Sequence, residues 1–163
     1  MVRPVLLLFA IILAGCSSSN IAVQDTPIPR GKTIGLGYFN MQLEKKKKHN
    51  TDTVCYCIGK TIQTALIPYL QKAHFKVIDL PIPEKATDFQ AAMIADSMHV
   101  DYLLTATGLV DLVGKSSFVD ALSLKAVDLK SGEVAFSGAF SGVAIRPVKA
   151  AGKIGQAIVA KIQ

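Results

Sequence analysis

Apolar and polar residues alternate most clearly between Asp101 and Val113. Successive side chains of a strand point to opposite faces, so a period of two indicates a strand with one buried face. The polar positions are Asp101, Thr105, Thr107 and Asp111. The positions predicted to face a core are Tyr102, Leu104, Ala106, Gly108, Val110 and Leu112.

Four further strands are predicted around this one. They are Thr33–Phe39, Lys76–Leu80, Phe118–Leu129 and Val134–Val143. A turn over Gly114–Ser117 leads into the third of them. A tight hairpin over Asp128–Val134 joins the last two, with a glycine at its left-handed position.

Three helices are predicted from apolar residues at helical spacing. The first carries Ile58, Ile62, Leu66 and Leu70, and we expect Pro68 to kink it. The second runs over about Asp88–Met98 with Thr87 or Asp88 as N-cap. Its predicted core face is Phe89, Ala92, Met93 and Ser97. The third, about Lys149–Ile162, aligns Ile154, Ile158 and Ile162.

The resulting order, β-α-β-α-β-β-β-α, predicts an α+β fold for residues 33–163. We expect a mixed, mostly antiparallel sheet of about five strands with helices packed on it. A chain of 163 residues is long enough for one such domain with a real core.

A tandem Ala-Phe-Ser-Gly sequence occupies Ala135–Gly142 in the last predicted strand. It places Phe136 and Phe140 on one face and small residues on the other. The aromatic face indicates a core. The small-residue face is either closely packed or solvated, or it is a flat surface for a neighbouring subunit.

The first 15 residues have the features of a secretory signal. Arg3 supplies a positive charge, Val5–Leu13 is an unbroken apolar run, and Leu13–Gly15 are residues suited to a processing site. The run is shorter than the roughly 20 apolar residues of a membrane-spanning helix.

The tetrapeptide Leu13-Ala14-Gly15-Cys16 resembles the bacterial lipobox. This resemblance implies cleavage before Cys16 and two lipid modifications of that residue. A diacylglycerol group is joined to its sulfur as a thioether, and an acyl chain such as palmitate is joined to the new amino terminus. In Gram-negative lipoproteins an Asp after the lipidated Cys retains the protein at the inner membrane. Ser17 at this position resembles the sequence of outer-membrane lipoproteins, with the domain facing the periplasm. The alternative is an ordinary signal peptide with Cys16 as a thiol. Residues 16–32, rich in Ser, Pro and Gly, are predicted to be the acylated terminus and a tether.

The net charge of +6 is scattered except for a run at Lys45–Lys48. No nucleic-acid-binding motif accompanies it, so we expect no nucleic-acid partner. An envelope protein instead meets lipid head groups, peptidoglycan carboxylates and acidic proteins. Lys45, Lys46, Lys47 and Lys48 are either a solvated loop or a contact for such an anionic partner.

Cys55 and Cys57 form a C-x-C pair in a segment whose conformation decides their role. In an extended segment a disulfide between them would be strained, whereas in a helix they face different sides. Structural thiols or a disulfide are favoured over a metal site, because His49 and His74 lack zinc-finger spacing. No catalytic motif is present in the sequence, so we predict no catalytic residue, metal or cofactor.

Several of these features resemble the superfamily that includes the curli-secretion lipoprotein CsgG, the penicillin-binding-protein activator LpoB and the amino-terminal domain of TolB. The resemblance rests on the lipobox and on segments within residues 33–162, namely Ile34–Phe39, Phe75–Asp79, Val100–Gly108, Val127–Val134 and Gly152–Ile158. It implies a non-enzymatic binding or assembly domain of the cell envelope.

Differences from the members of this superfamily refine the expectation. All predicted strands are needed for the sheet, which disfavours a CsgG-like pore, and the predicted tether is short for an activator of LpoB type. We therefore expect an outer-membrane-anchored, non-enzymatic component of an envelope assembly, in secretion or in building a surface structure. It would have the membrane and an envelope protein as partners, or form a homo-oligomer. The alternatives are a lipoprotein that activates a peptidoglycan synthase and an enzyme of unknown type.

Overall fold

The protein is described by a computed structural model over residues 18–23, 28–44, 51–83 and 86–162. Six strands and three helices follow one another in the chain. They are β1 (Ser18–Val23), β2 (Thr33–Leu43), α1 (Thr51–Lys72), β3 (Lys76–Asp79), α2 (Asp88–Ser97), β4 (Tyr102–Val113), β5 (Ser116–Asp128), β6 (Val134–Ile145) and α3 (Pro147–Ile162). The predicted α+β fold is confirmed, with helix and strand order as expected from residue 33 onward.

The strands form one mixed sheet in the order β1-β6-β5-β4-β2-β3. β2 pairs in parallel with β3 and β4, and the remaining pairs are antiparallel. The predicted five strands are β2 to β6, which are contiguous in this sheet and include β3 at one edge. β1 is an additional edge strand that lies within the predicted tether.

The tether prediction is therefore wrong for Ser18–Val23, which pairs with Phe136–Ser141 of β6. The segment has no strict alternation, and its strand conformation depends on the backbone groups that β6 offers. The paired segment of β6 begins 118 residues after the start of β1, so the pairing cannot be recognised from the local sequence.

Helices α1 and α3 cover one face of the sheet and enclose the main core. Ile62, Leu66, Ile154 and Ile158 are fully buried there. The tandem phenylalanines of β6 meet them from the sheet, as predicted, and each is 1% exposed. α1 continues through Pro68 to Lys72.

Helix α2 packs on the opposite face of the sheet, but with a different side from the one predicted. Ala91 and Ala95 are buried in a small second cluster with Leu103, whereas Phe89 and Met93 are 73% and 58% exposed. The two alanines let the helix backbone approach β4 closely. Since α2 carries apolar residues on both sides, periodicity alone could not select the buried one.

Helices α1 and α2 end in the same way. His74 and His99 adopt left-handed backbone conformations, with φ of 67° and 55°. The next residues, Phe75 and Val100, donate their NH groups to the carbonyls of Leu70 and Ala95, which is a Schellman motif. Both Phe75 and Val100 are buried, so each helix passes into its strand through one short turn.

Helix α1 also protects an edge of the sheet. β3 pairs only with Thr33–Leu36 of β2, so β2 continues beyond its neighbour. The buried side chain of Gln63 donates to the Gly37 carbonyl at this edge. One helical turn earlier, the α1 backbone lies so close to the Phe39 carbonyl that a Cβ on Gly59 would be 2.4 Å from its oxygen.

We expect Gly59→Ala to lower the free energy of unfolding by about 1–3 kcal/mol, because the added methyl meets a backbone oxygen that cannot move independently. Gly152→Ala on α3 is the matched control. Its Cβ would approach only the hydroxyl end of Tyr69, at 3.3 Å, and alanine gains up to about 1 kcal/mol of helix propensity. Urea denaturation of both variants measures the difference, and equal stabilities would contradict the close approach.

Candidate functional site

The residues singled out for chemistry in the sequence do not converge on a polar site. Among the described residues, no group of three or more His, Cys, Asp and Glu side chains could hold a metal ion. His74 and His99 serve as helix caps. Cys16, His49 and Lys45–Lys48 lie outside the described residues.

Cys55 and Cys57 both belong to α1 and are both free thiols. Cys55 is buried and points towards the end of β2, whereas Cys57 is exposed. Burial and, secondarily, the charge of Asp52 raise the pKa of the Cys55 thiol, which disfavours the reactive thiolate. These observations favour a structural role for Cys55.

A small cavity lies where α1 meets β2, lined by Tyr38, Tyr56, Lys60 and Gln63 among others. Its volume of about 10 Å³ is comparable to that of one water molecule. It is too small for an organic substrate.

An unusual surface lies on the second face of the sheet. α2 covers this face only near Leu103, so the parts of β4, β5 and β6 beyond α2 are not covered by a helix in the described structure. We call this surface the open face. It consists of Thr107, Leu109, Ala121, Ser123, Ala139 and Ser141, with Gln42 of β2 at its border.

Strand register arranges the open face in rows of short side chains. Thr107 lies opposite Ser123, which lies opposite Ala139. In the next row Leu109 lies opposite Ala121, which in turn lies opposite Ser141. All of these side chains except Leu109 are short, and they leave a shallow trough of about 440 Å³ that another protein surface could approach closely.

Helix α2 carries an apolar rim on the side that faces away from the sheet and from the buried Ala91 and Ala95. Phe89 and Met93 are four residues apart and therefore lie on the same side of the helix. Lys125 of β5 contacts the Asp88 carboxylate at 3.2 Å and so connects the start of α2 to this side of the sheet. Two large apolar side chains exposed side by side typify a contact surface.

A bulge in β5 ends the open face at Asp120. The residues on either side, Val119 and Ala121, pair with Val110 and Leu109 of β4, which leaves Asp120 as the extra residue. Its Oδ2 is buried and has no hydrogen-bond partner in the described part of the chain. Burial, followed by the charges of Glu44 and Asp111, raises the pKa of the Asp120 carboxyl group.

Sequence reasoning identified part of this site. The small-residue side of β6 was recognised as a candidate subunit contact, and the polar side of β4 was assigned correctly. The rim residues Phe89 and Met93 were wrongly placed in the core, and Asp120 was missed. A carboxylate within an otherwise alternating strand was the available signal for a bulge, but alternation alone does not locate one.

Comparison with known proteins gives structural matches only. No protein-family model matches the chain. No curated protein matches it in sequence. Among solved structures, the chain is similar to the PelC dodecamer from Paraburkholderia phytofirmans, with a TM-score of 0.55 and 14% identity over 87% of this chain and 94% of that one. At this identity the likeness shows the fold alone.

Two weaker matches involve other bacterial proteins. The LpoB C-terminal domain from Escherichia coli has a TM-score of 0.45 and 16% identity over 72% of this chain and 84% of that one. A putative neuraminyllactose-binding hemagglutinin homolog from Helicobacter pylori has a TM-score of 0.44 and 13% identity, covering 85% and 87% of the two chains. LpoB is thus among the matches, whereas the resemblance to CsgG and TolB remains a prediction.

We expect Asp120→Asn to raise the free energy of unfolding near neutral pH, because burial makes the charged carboxylate the unfavourable form. The carboxyl pKa is higher in the folded state than in the unfolded state. The stabilising contribution of the protonated Asp120 carboxyl group is therefore fully present below its ordinary pKa of 3.8. This contribution is lost as the pH rises through the pKa that the group has in the folded state. The stability gain of the variant should accordingly disappear in acid.

Urea denaturation at neutral pH and below the ordinary pKa tests this dependence. Asp96→Asn, on the exposed side of α2, controls for the change from Asp to Asn. A variant that is no more stable than the wild type at neutral pH would show that Asp120 has a partner or is well hydrated.

Proposed function

We propose that the protein is an outer-membrane-anchored lipoprotein that assembles with further copies of itself through the open face, as a non-enzymatic component of a cell-envelope complex. The observation that carries this proposal is a sheet face of mostly short side chains that no described helix covers, together with an exposed apolar rim on α2. The fold similarity to a protein whose solved form is a dodecamer supports it.

The rim and the trough are suited to one another. Burying a phenylalanine or methionine side chain contributes roughly 1.5–3 kcal/mol, and Phe89 and Met93 are the two most exposed apolar side chains of α2. The trough of about 440 Å³ on the open face offers a surface on which most side chains are short, apart from Leu109 and Gln42. Rim and trough therefore supply the two halves of one contact.

The rim and the trough are different patches of the same molecule. A contact between the rim of one copy and the trough of the next is heterologous, and repetition of such a contact gives a closed ring or an open filament. Self-association of this kind would cover the open face in every copy of a closed ring.

The anchor is proposed from the sequence. Acylation of Cys16 would hold the protein at the outer membrane, since each buried methylene adds about 0.8 kcal/mol of membrane affinity. One residue, Glu44, separates the end of β2 from Lys45, Lys46, Lys47 and Lys48. These lysines would add contacts to anionic lipid at about 1 kcal/mol each. In the described part of the chain no helix is both long and apolar enough to span a bilayer.

The proposal includes no catalytic residue and no cofactor. The alternative from the sequence, activation of a peptidoglycan synthase, keeps only its sequence basis, because the structural likeness to LpoB is too weak to support it.

Ala139→Arg is expected to break the proposed self-association, because a long charged side chain would extend from β6 into the trough. Phe89→Ser should have the same effect from the rim side. Gln156→Arg, at an exposed position of α3, introduces the same charge on the other side of the domain and should leave the assembly unchanged. Light scattering after size-exclusion chromatography of the acylated protein in mild detergent measures the mass of each form.

A wild-type protein that is monomeric in this experiment would contradict self-association. If it is monomeric but crosslinks to one envelope protein in intact cells, and Ala139→Arg abolishes that crosslink, the open face binds a different partner.

The amino-terminal peptide of the mature protein should begin at Cys16 and carry the mass of a diacylglyceryl group and an amide-linked acyl chain. Mass spectrometry of the protein purified from membranes checks this, and Cys16→Ser provides the unacylated control. A mature chain that begins elsewhere would overturn the anchor.

A further inference from the structure

The first described strand fixes which end of the sheet lies nearest the proposed anchor. Ser18 pairs with Ser141, and β1 runs antiparallel to β6. The amino-terminal end of β1 therefore lies at the end of the sheet towards which β6 continues as Gly142 to Ile145. Two residues of chain span at most about 7 Å, so Cys16 lies within this distance of Ser18.

The β6–α3 corner, which we define as Val143, Arg146, Val148 and Lys149, lies at this end of the sheet. Its two valines are 67% and 58% exposed, and its two basic residues are also exposed. Between Ser141 and Ile145, β6 contains extra residues relative to β5, since these two positions pair with Ala121 and Val119. Val143 is exposed on this irregular part of the strand.

The neighbouring turn adds similar residues. Val113 is 62% exposed and Lys115 is exposed beside it, between β4 and β5. The acidic residues of this end are Glu44, which follows β2, Asp111 of β4 and Asp120 of the β5 bulge. Since β6 neighbours β1 and these strands lie farther across the sheet, the basic residues of the corner are on the side nearest the anchor.

From this arrangement we infer that the β6–α3 corner rests on the bilayer surface, with Val143 and Val148 at the level of the head groups and Arg146 and Lys149 on anionic phospholipid. Valine contributes apolar area to such a surface, and basic residues are attracted to anionic lipid within about a Debye length. The inference rests on the proposed acylation of Cys16. It adds an orientation to that proposal, because β1 begins so soon after the anchor that the domain cannot turn its opposite end to the membrane.

Fluorescence quenching in vesicles tests the orientation. The acylated full chain is prepared in a Cys57→Ala background and labelled with an environment-sensitive fluorophore at Val143→Cys. Vesicles contain phosphatidylethanolamine and phosphatidylglycerol with a nitroxide on the lipid head group. Val134→Cys, a 39% exposed valine at the β5–β6 hairpin on the opposite end, is the matched control. We expect most of the fluorescence to be lost at position 143 and little at position 134.

A charge change separates the corner from the anchor. Arg146→Glu combined with Lys149→Glu should reduce quenching at position 143 while the protein still floats with the vesicles. Lys130→Glu, in the exposed turn at the opposite end, should change neither reading.

Flotation distinguishes the two proposals. A protein that floats but is quenched equally at positions 143 and 134, or more strongly at 134, overturns the orientation and leaves the anchor intact. A protein that fails to float overturns both. Unchanged quenching in the Arg146→Glu, Lys149→Glu variant shows that these basic residues do not contact lipid.

Discussion

The close contact between α1 and the free edge of β2 fixes the arrangement of the other elements. Where β3 ends, the backbone of α1 at Gly59 and the side chain of Gln63 meet the carbonyls of β2. Without this contact, β2 would present unpaired backbone groups at an open edge, which in other proteins is a site of aggregation. The same contact holds α1 against one face of the sheet, and α3 completes that layer beside it.

One consequence is an unequal distribution of helices. Two long helices enclose the main core, whereas the single short helix on the other face covers only the neighbourhood of Leu103. The second face therefore retains an area in which β4, β5 and β6 carry short side chains. A sheet that is solvated on one side is common in antiparallel folds. The adjacent Phe89 and Met93, both largely exposed, are the reason to regard this area as a contact surface.

The parts of the fold that could be predicted are those in which burial repeats along the chain. The period-two pattern of β4 identified the buried Tyr102, Leu104, Ala106 and Val110, and the four-residue steps of α3 identified the buried Ile154 and Ile158. The β4 pattern did not indicate that Leu103, on the other side of β4, is buried under α2. Prediction failed where the pattern allows two answers or is interrupted. Both sides of α2 are apolar. In β2, Leu36 and Phe39 both face the core because the register shifts between them. The strand also extends to Leu43, whereas the prediction ended it at Phe39. The pairing of β1 with β6 depends on a distant segment and could not be deduced locally.

The same distinction applies to the candidate site, since the alternation of β6 revealed its small-residue side, whereas Asp120 required knowledge of the strand register.

The left-handed backbone conformations of His74 and His99 limit how the lengths of the helices can change. Because each helix passes into its strand through a single capped turn, no flexible linker separates the helix from the strand that follows. The length of α1 determines where β3 begins, and the length of α2 does the same for β4. An added or deleted residue inside either helix would have to rotate the strand that follows or break the cap. Changes in chain length should therefore accumulate in the hairpin turns and before the helices, while the helix-to-strand passages keep a constant length.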